Sequence, residues 1–192
     1  MKPENVLILP GWKNSGPEHW QSLWEAAHGY IRVEQHSWEQ PLRGDWTSRL
    51  EDVLLACDEP AVLVAHSLGC MLTAAWASHS KNTHRVKAAL LVAPPDLDRD
   101  DLRQMLPSWA PVPLNRLPFE TVLMASRDDP YCDASRARTF AAAWGATYID
   151  AGTHGHLNAE SGLADWPEAH AHLLRLQDLI SPAMAAPQRP AR

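Results

Sequence analysis

The sequence has few cysteines and no run of basic residues, and each shortage excludes a class of function. Its three cysteines form no CxxC pair, so we expect neither a disulfide framework nor a zinc site of the finger type. The 17 Lys and Arg residues are outnumbered by 23 Asp and Glu and are scattered along the chain, which leaves no electrostatic footprint for nucleic acid. We therefore expect a small-molecule or protein partner.

Long apolar segments are also missing. No segment approaches the roughly 20 apolar residues that a membrane-spanning helix needs, so we expect no membrane association. The first residues, MKPENVLILPGW, lack an apolar run of the length typical of a secretory signal. Together with the unpaired cysteines, this predicts a reduced, cytoplasmic protein.

Short apolar runs alternate with segments of helical periodicity over most of the chain. Near-continuous apolar runs are typical of parallel strands covered on both faces, and the runs that fit are VLIL at 6–9, AVLVA at 61–65, AALLVA at 88–93, TVLMA at 121–125 and TYI at 147–149. Between them, helical spacing of apolar residues starts near Trp20, Trp46, Leu68, Ala137 and Pro167. This alternation predicts a doubly wound α/β fold, with a mostly parallel central sheet and helices on both faces.

Two proline-rich segments interrupt that alternation. Residues 102–118, LRQMLPSWAPVPLNRLP, show too little periodicity for a helix, and we expect an ordered loop or cap above the sheet edge. Trp109 within this segment is a candidate wall of a substrate pocket. Residues 181–192 lack aromatics and cannot bury enough surface to offset the entropy of ordering. We therefore predict one domain over residues 1–180 and a disordered tail at 181–192.

A single serine interrupts the apolar stretch AVLVAHSLGCM, where a strand gives way to a helix. Ser67 falls on the turn, and the small residues Ala65 and Gly69 flank it, as a sharp strand-to-helix turn requires. The turn would place Ser67 at the carboxyl end of the sheet, where the Leu68 amide points at negative charge on an atom bonded to the serine oxygen. This resembles the nucleophile elbow of the α/β-hydrolases, with Ala65 in place of the first glycine of G-x-S-x-G. The alternative is a serine that only caps the helix.

A serine nucleophile needs a base, and the base needs a third group that fixes its tautomer. SRDDP follows the strand TVLMA, and DAGTHGHLN follows TYI, so acids and histidines come at the carboxyl ends of strands, where α/β sites lie. Asp128 and Asp129 are both candidates for the acid, with Asp96 as a rival. His154 and His156 are both candidates for the base. The order Ser, Asp, His is the one used by α/β-hydrolases.

From about Val6 to Leu179 the chain resembles the retinoblastoma-binding protein 9 family of small serine hydrolases. The segments that carry the resemblance are LPGWKNSGPEHWQSLW, VEQHSWEQP, AHSLGC, SRDDPYC, AAAWG, GTHGHLN and SGLADWPE. The resemblance implies a compact, single-domain α/β-hydrolase fold. In the family the acid directly precedes a proline and the base belongs to a Gly-His pair, which places the triad on Ser67, Asp129 and His156.

Acyl transfer also needs hydrogen-bond donors for the developing oxyanion. We predict that the amide of Leu68 supplies one and that the amide of Trp12, in the loop after the first strand, supplies the other. Gly11 lets the backbone of that loop approach the site closely, and we expect Gly11, Asn14 and His19 to contact substrate. The loop GWKNSG matches neither glycine pattern of nucleotide-binding proteins.

Two other motifs are expected to carry no function. His154 and His156 have a spacing that a metal site can use, but only Asp150 lies near enough in sequence to add a ligand, so we expect no metal. Residues 55–59, LACDE, fit L-x-C-x-E, the motif that names the family's human-type member as a retinoblastoma binder. Cys57 continues the apolar stripe of its helix and a turn follows, which indicates a structural role for Leu55–Glu59.

The sequence therefore predicts a serine hydrolase that needs no cofactor and cleaves small esters, or amides, through an acyl-enzyme. The chain is compact, and its one short proline-rich excursion leaves little room for a lipase-type lid. Short acyl groups are accordingly expected. The alternative is a non-catalytic member of the same fold that binds a ligand or a protein in the pocket.

Overall fold

A computed structural model of the chain describes residues 5–180, and the tail predicted at 181–192 lies outside them. Within the described residues the strands are β1 (Val6–Leu9), β2 (Ile31–Arg32), β3 (Ala61–His66), β4 (Val86–Val92), β5 (Glu120–Ala125) and β6 (Thr147–Asp150). The α-helices are α1 (Trp20–His28), α2 (Arg43–Ala56), α3 (Leu68–His79), α4 (Asp100–Met105), α5 (Ala134–Trp144) and α6 (Pro167–Ile180). Short 3₁₀ turns cover Thr83–Arg85, Pro107–Trp109 and Ala159–Ser161.

All strands form one parallel sheet in the order β2-β1-β3-β4-β5-β6. The chain moves from β1 outward to β2, returns to the other side of β1 with β3, and then proceeds steadily to β6. The direction of winding thus changes between β1 and β3, and the crevice at the carboxyl ends of those two strands is where open α/β sheets bind ligands. The predicted α/β fold with a parallel central sheet is confirmed.

Helices cover both faces of the sheet, as predicted, because the strands direct alternate side chains to opposite sides. Leu7 and Leu63 point to the face covered by α2, α3 and α5, whereas Ile8 and Val62 point to the face covered by α1 and α6. All four side chains are 0–1% exposed. Both faces of the sheet are therefore shielded from water at β1 and β3, which explains why these strands appear as continuous apolar runs.

The structure contains two elements that the sequence pattern did not predict. Strand β2 has only two residues, and Ile31 is 43% exposed, so it forms through its parallel pairing with β1 and not through a buried apolar run. Helix α4 has six residues. Such a helix is too short for helical periodicity to be detected, and the expected loop at 102–118 therefore begins inside a helix.

The prediction that Trp109 forms a wall of the substrate pocket is wrong. It is 1% exposed, its indole N–H donates to the carbonyl of Pro41 at 2.7 Å, and its ring packs edge-on against Trp46. The turn at Pro107–Trp109 directs the indole into the core cluster that also contains Trp46 of α2. Burial of a large aromatic ring stabilises this arrangement more than exposure at a cavity would.

Candidate active site

Ser67 lies on a sharp turn between β3 and α3. Its backbone has φ 53° and ψ −119°, and a residue with a side chain adopts such a positive φ only at a cost. Its amide donates to the carbonyl of Val92 at 2.9 Å, which ties the turn to β4. Although Ser67 precedes the first residue of α3, its side chain makes no capping hydrogen bond. The hydroxyl is therefore not engaged as a helix cap.

Two glycines let the loop after β1 approach this turn. A Cβ on Gly69 would lie 2.2 Å from the carbonyl oxygen of Leu9, and a Cβ on Gly11 would lie 2.8 Å from the Cβ of Ser67. Both distances are far below van der Waals contact, so any larger residue would push the two segments apart. The need for small residues near Ser67 thus comes from the neighbouring strand as well as from the turn.

The side chains of Ser67, His156 and Asp129 form a continuous hydrogen-bonded chain. Nε2 of His156 lies 2.8 Å from Oγ of Ser67, and its Nδ1 lies 2.9 and 3.0 Å from the two carboxylate oxygens of Asp129. Asp129 follows β5 and is 7% exposed, and His156 follows β6. Three loops at the carboxyl edge of the sheet therefore bring a hydroxyl, an imidazole and a carboxylate into the order that nucleophilic catalysis requires.

The other candidate acids and the other histidine occupy different places. Asp128 accepts hydrogen bonds from Oγ of Ser126 at 2.6 Å and from the amide of Gly155 at 2.9 Å, and the bond from Ser126 lowers the pKa of Asp128. Asp96 pairs with Arg136 at 3.1 Å. His154 has an exposed side chain. The geometry thus separates the alternatives that residue types alone left open.

Two backbone amides near Ser67 are free to bind an anion. The amides of Lys13 and Asn14 donate to the carbonyls of Trp38 and Gly11. Within residues 5–180, by contrast, the amides of Trp12 and Leu68 donate to no other protein group. Both residues line the cavity that contains Ser67. They are therefore the candidates for the donors that an oxyanion needs.

Asn14 lines the same cavity, but its side chain is partly occupied in holding the loop. Its Oδ1 accepts from Nη1 of Arg32 at 2.6 Å, and the guanidinium also contacts the carbonyl of Ser15 and the carboxylate of Glu25. Lys13 and Asn14 both have positive φ, so the loop needs such anchors to keep its shape. The sequence analysis missed Arg32, because the two-residue strand that carries it has no recognisable pattern.

A cavity of about 410 Å³ opens over Ser67 and is apolar on one side. That side consists of residues after β4 and in or beside α4: Pro95, Leu97, Leu102, Met105 and Leu106. The side near the loop after β1 includes Gly11, Trp12, Asn14 and His19, and contact of Gly11, Asn14 and His19 with substrate stays a prediction. The lining residues that the sequence analysis missed include the leucines, His66, Tyr131 and Asn158. Of these, His66, Tyr131 and Asn158 lie within the segments AHSLGC, SRDDPYC and GTHGHLN, whereas the leucines after β4 lie outside every recognised motif.

Acid is expected to destabilise the fold through His19. Its Nδ1 accepts from the amide of Gln21 at 3.1 Å, and burial, followed by the charge of Arg32, lowers the pKa of His19 from 6.5 to about 4. Between those pH values the unfolded chain binds a proton here that the folded chain does not, so the free energy of unfolding falls as the pH falls from 6.5 to 4. His19→Asn keeps an acceptor for the amide without titrating. We expect it to flatten the dependence of the melting temperature on pH in this window.

The exposed His36 provides a control for that measurement. His36→Asn makes the same substitution at an exposed position, and its melting temperature should follow the pH as the wild type does. If the slope in His19→Asn equals that of the wild type, His19 is not the group that couples folding to acid.

The described residues contain no group of three or more His, Cys, Asp or Glu side chains arranged to hold a metal ion. None of the helices between residues 5 and 180 is long and apolar enough to cross a bilayer. The three cysteines are free thiols, and burial raises the pKa of Cys132 to about 12. In the L-x-C-x-E match, Leu55 is 53% exposed at the end of α2, whereas Cys57 is partly buried against the core.

Solved structures share this fold over most of their length. A protein described as a YdeN-like hydrolase from Pectobacterium atrosepticum aligns with a TM-score of 0.82 at 27% identity, over 93% of this chain and 92% of that one. The ydeN gene product from B. subtilis aligns with a TM-score of 0.72 at 21% identity, over 91% and 99%. MGS-MChE2, an α/β-hydrolase enzyme from a lagoon-sediment metagenome, aligns with a TM-score of 0.66 at 16% identity, over 90% and 89%.

The fold and the turn at Ser67 define an α/β-hydrolase. Residues 6–175 match the family described as serine hydrolase. The chain therefore belongs to the serine hydrolase family, and its function is hydrolytic. No curated protein matches it.

Proposed function

We propose that the chain hydrolyses small carboxylic esters through a covalent acyl-enzyme, with Ser67, His156 and Asp129 as the catalytic triad. The observation that carries the proposal is the position of His156, whose two ring nitrogens lie 2.8 Å from Ser67 Oγ and 2.9 Å from Asp129 Oδ2. A neutral imidazole with Nδ1–H donated to the carboxylate presents an unprotonated Nε2 to the hydroxyl. That is the tautomer that a general base requires.

The steps follow from these contacts. Nε2 of His156 takes the proton of Ser67 while Oγ attacks the ester carbonyl carbon, and the amides of Leu68 and Trp12 hold the resulting oxyanion. The same proton then passes to the departing alkoxide, which leaves as the alcohol. Water, deprotonated by His156, attacks the acyl-enzyme and releases the carboxylic acid with Ser67 restored.

The cavity supports a small substrate. Its volume of about 410 Å³ is near the lower end of the range for small-molecule sites. The leucine side chains from the segment after β4 suit a short apolar acyl group, and an amide is a less reactive alternative to the ester. We also place the chain in the branch of retinoblastoma-binding protein 9, on the motifs that surround the three triad residues. Its free thiols fit the reducing cytoplasm.

A fluorophosphonate probe tests the proposed nucleophile. Such a probe phosphonylates an activated serine by displacement of fluoride, and its adduct is mapped by peptide mass spectrometry. We expect one adduct, on Ser67, and turnover of p-nitrophenyl acetate or butyrate that falls as the acyl chain lengthens. Folded protein that carries no adduct, or carries it on another residue, would contradict the assignment.

A further inference from the structure

The backbone that carries His156 is held by two buried ring N–H groups outside the triad. Nε2 of His66 lies 2.9 Å from the carbonyl oxygen of His156, and the indole N–H of Trp20 donates to the carbonyl of Leu157 at 2.8 Å. His66 is 5% exposed and Trp20 is 1% exposed. Consecutive carbonyls of one loop are thus fixed by donors from the end of β3 and the start of α1.

His66 connects that loop directly to the nucleophile, because it is the residue before Ser67. The His66-Ser67 pair therefore contacts His156 twice, through the carbonyl oxygen and through Nε2. Since a carbonyl can only accept, Nε2 of His66 carries the hydrogen. Burial holds the pKa of His66 well below its ordinary value, so the imidazole is neutral and its one N–H is used in this contact.

The loop needs such support, because it has no regular secondary structure of its own at His156. Gly155 has φ 57°, and Leu157, which is fully buried, has φ 49°. A residue with a side chain stays in that conformation only when its surroundings hold it there. The contacts from His66 and Trp20 fall on either side of the bond that joins His156 to Leu157.

We propose that His66 is a positioning residue for the hydrolysis, whose Nε2–H holds the carbonyl of His156 so that the imidazole stays in line between Ser67 and Asp129. This inference rests on the proposed triad. Without the hydrogen bond the carbonyl of His156 loses this partner and the loop shifts to find another. Misplacement of a catalytic group by about 1 Å can cost about 10²-fold in rate.

A pair of variants at position 66 tests the donor. In His66→Gln the side-chain amide nitrogen lies as many bonds from the backbone as Nε2 and still donates, whereas His66→Met has similar length and no donor. We expect His66→Met to lower kcat between 10-fold and 100-fold, and His66→Gln to recover most of that loss. Equal losses in both variants, or wild-type kcat in His66→Met, would overturn the proposal.

A matched pair of tryptophans keeps the test decisive if His66→Met does not fold. Trp20→Phe and Trp24→Phe each remove a buried indole N–H, but Trp20 bonds to Leu157 beside the catalytic histidine and Trp24 bonds to Asp165. We expect kcat to fall at least fivefold more in Trp20→Phe than in Trp24→Phe, because only Trp20 holds the loop that carries His156. Equal kcat in the two variants would overturn the proposal.

Ser67→Ala, assayed in parallel, separates the inference from the proposed function. If Ser67→Ala keeps hydrolysing esters, the proposed triad is wrong. If Ser67→Ala is inactive while His66→Met has wild-type kcat, only the positioning role of His66 is wrong.

Discussion

Ser67→Ala is expected to lower ester hydrolysis by about 10⁶-fold, the loss that follows removal of a catalytic serine. Without Oγ no acyl-enzyme forms, and the remaining rate comes from the oxyanion donors and substrate binding alone. The variant should fold like the wild type, because the Ser67 side chain caps no helix. Its rate is measured with p-nitrophenyl acetate and its folding by thermal melting.

Ser78→Ala is the matched control for this variant. Ser78 lies near the end of α3, the helix that follows Ser67, and its hydroxyl donates only to the carbonyl of Ala75. Loss of the Ser78 hydroxyl should leave the rate of ester hydrolysis within twofold of the wild type. A Ser67→Ala protein that is folded and retains a tenth of wild-type activity would exclude Ser67 as the nucleophile.

Asp129→Asn is expected to lower kcat by about 10⁴-fold. An asparagine can turn its NH₂ group towards Nδ1 of His156, and Nδ1 then becomes the acceptor while Nε2 carries the hydrogen. A protonated Nε2 cannot remove the proton of Ser67, although the three side chains stay close to their places. The measurement is kcat for a p-nitrophenyl ester, with fluorophosphonate labelling as a second readout.

The neighbouring carboxylate provides the control. Asp128→Asn keeps an oxygen that can accept from Ser126 and Gly155, so kcat should change only a few-fold. If Asp128→Asn proves the more damaging change, the triad acid has been misassigned.

The local sequence is sufficient to predict most of the fold. Val62, Leu63 and Val64 form a strand in any environment that buries both faces, and the helix after Ser67 follows from apolar residues at helical spacing. Strand β2 was missed because two residues carry no periodicity, and α4 because six residues carry too little. Trp109 was misplaced, since an isolated tryptophan in a proline-rich segment fits a core and a pocket wall equally well until the turn around it is known.

The sequence by itself determined that a serine, two neighbouring carboxylates and two histidines each follow the end of a strand, because strand ends are marked by local changes in polarity. It also determined that Gly11 and Gly69 leave room beside Ser67. Only the tertiary structure decided how the loops after β5 and β6 face each other, and therefore which carboxylate meets which imidazole. The contact of His66 with the carbonyl of His156 was likewise decided only by the tertiary structure. Residues 90 positions apart in the chain meet only because the sheet brings the ends of their strands to the same edge, and no local sequence pattern predicts that contact.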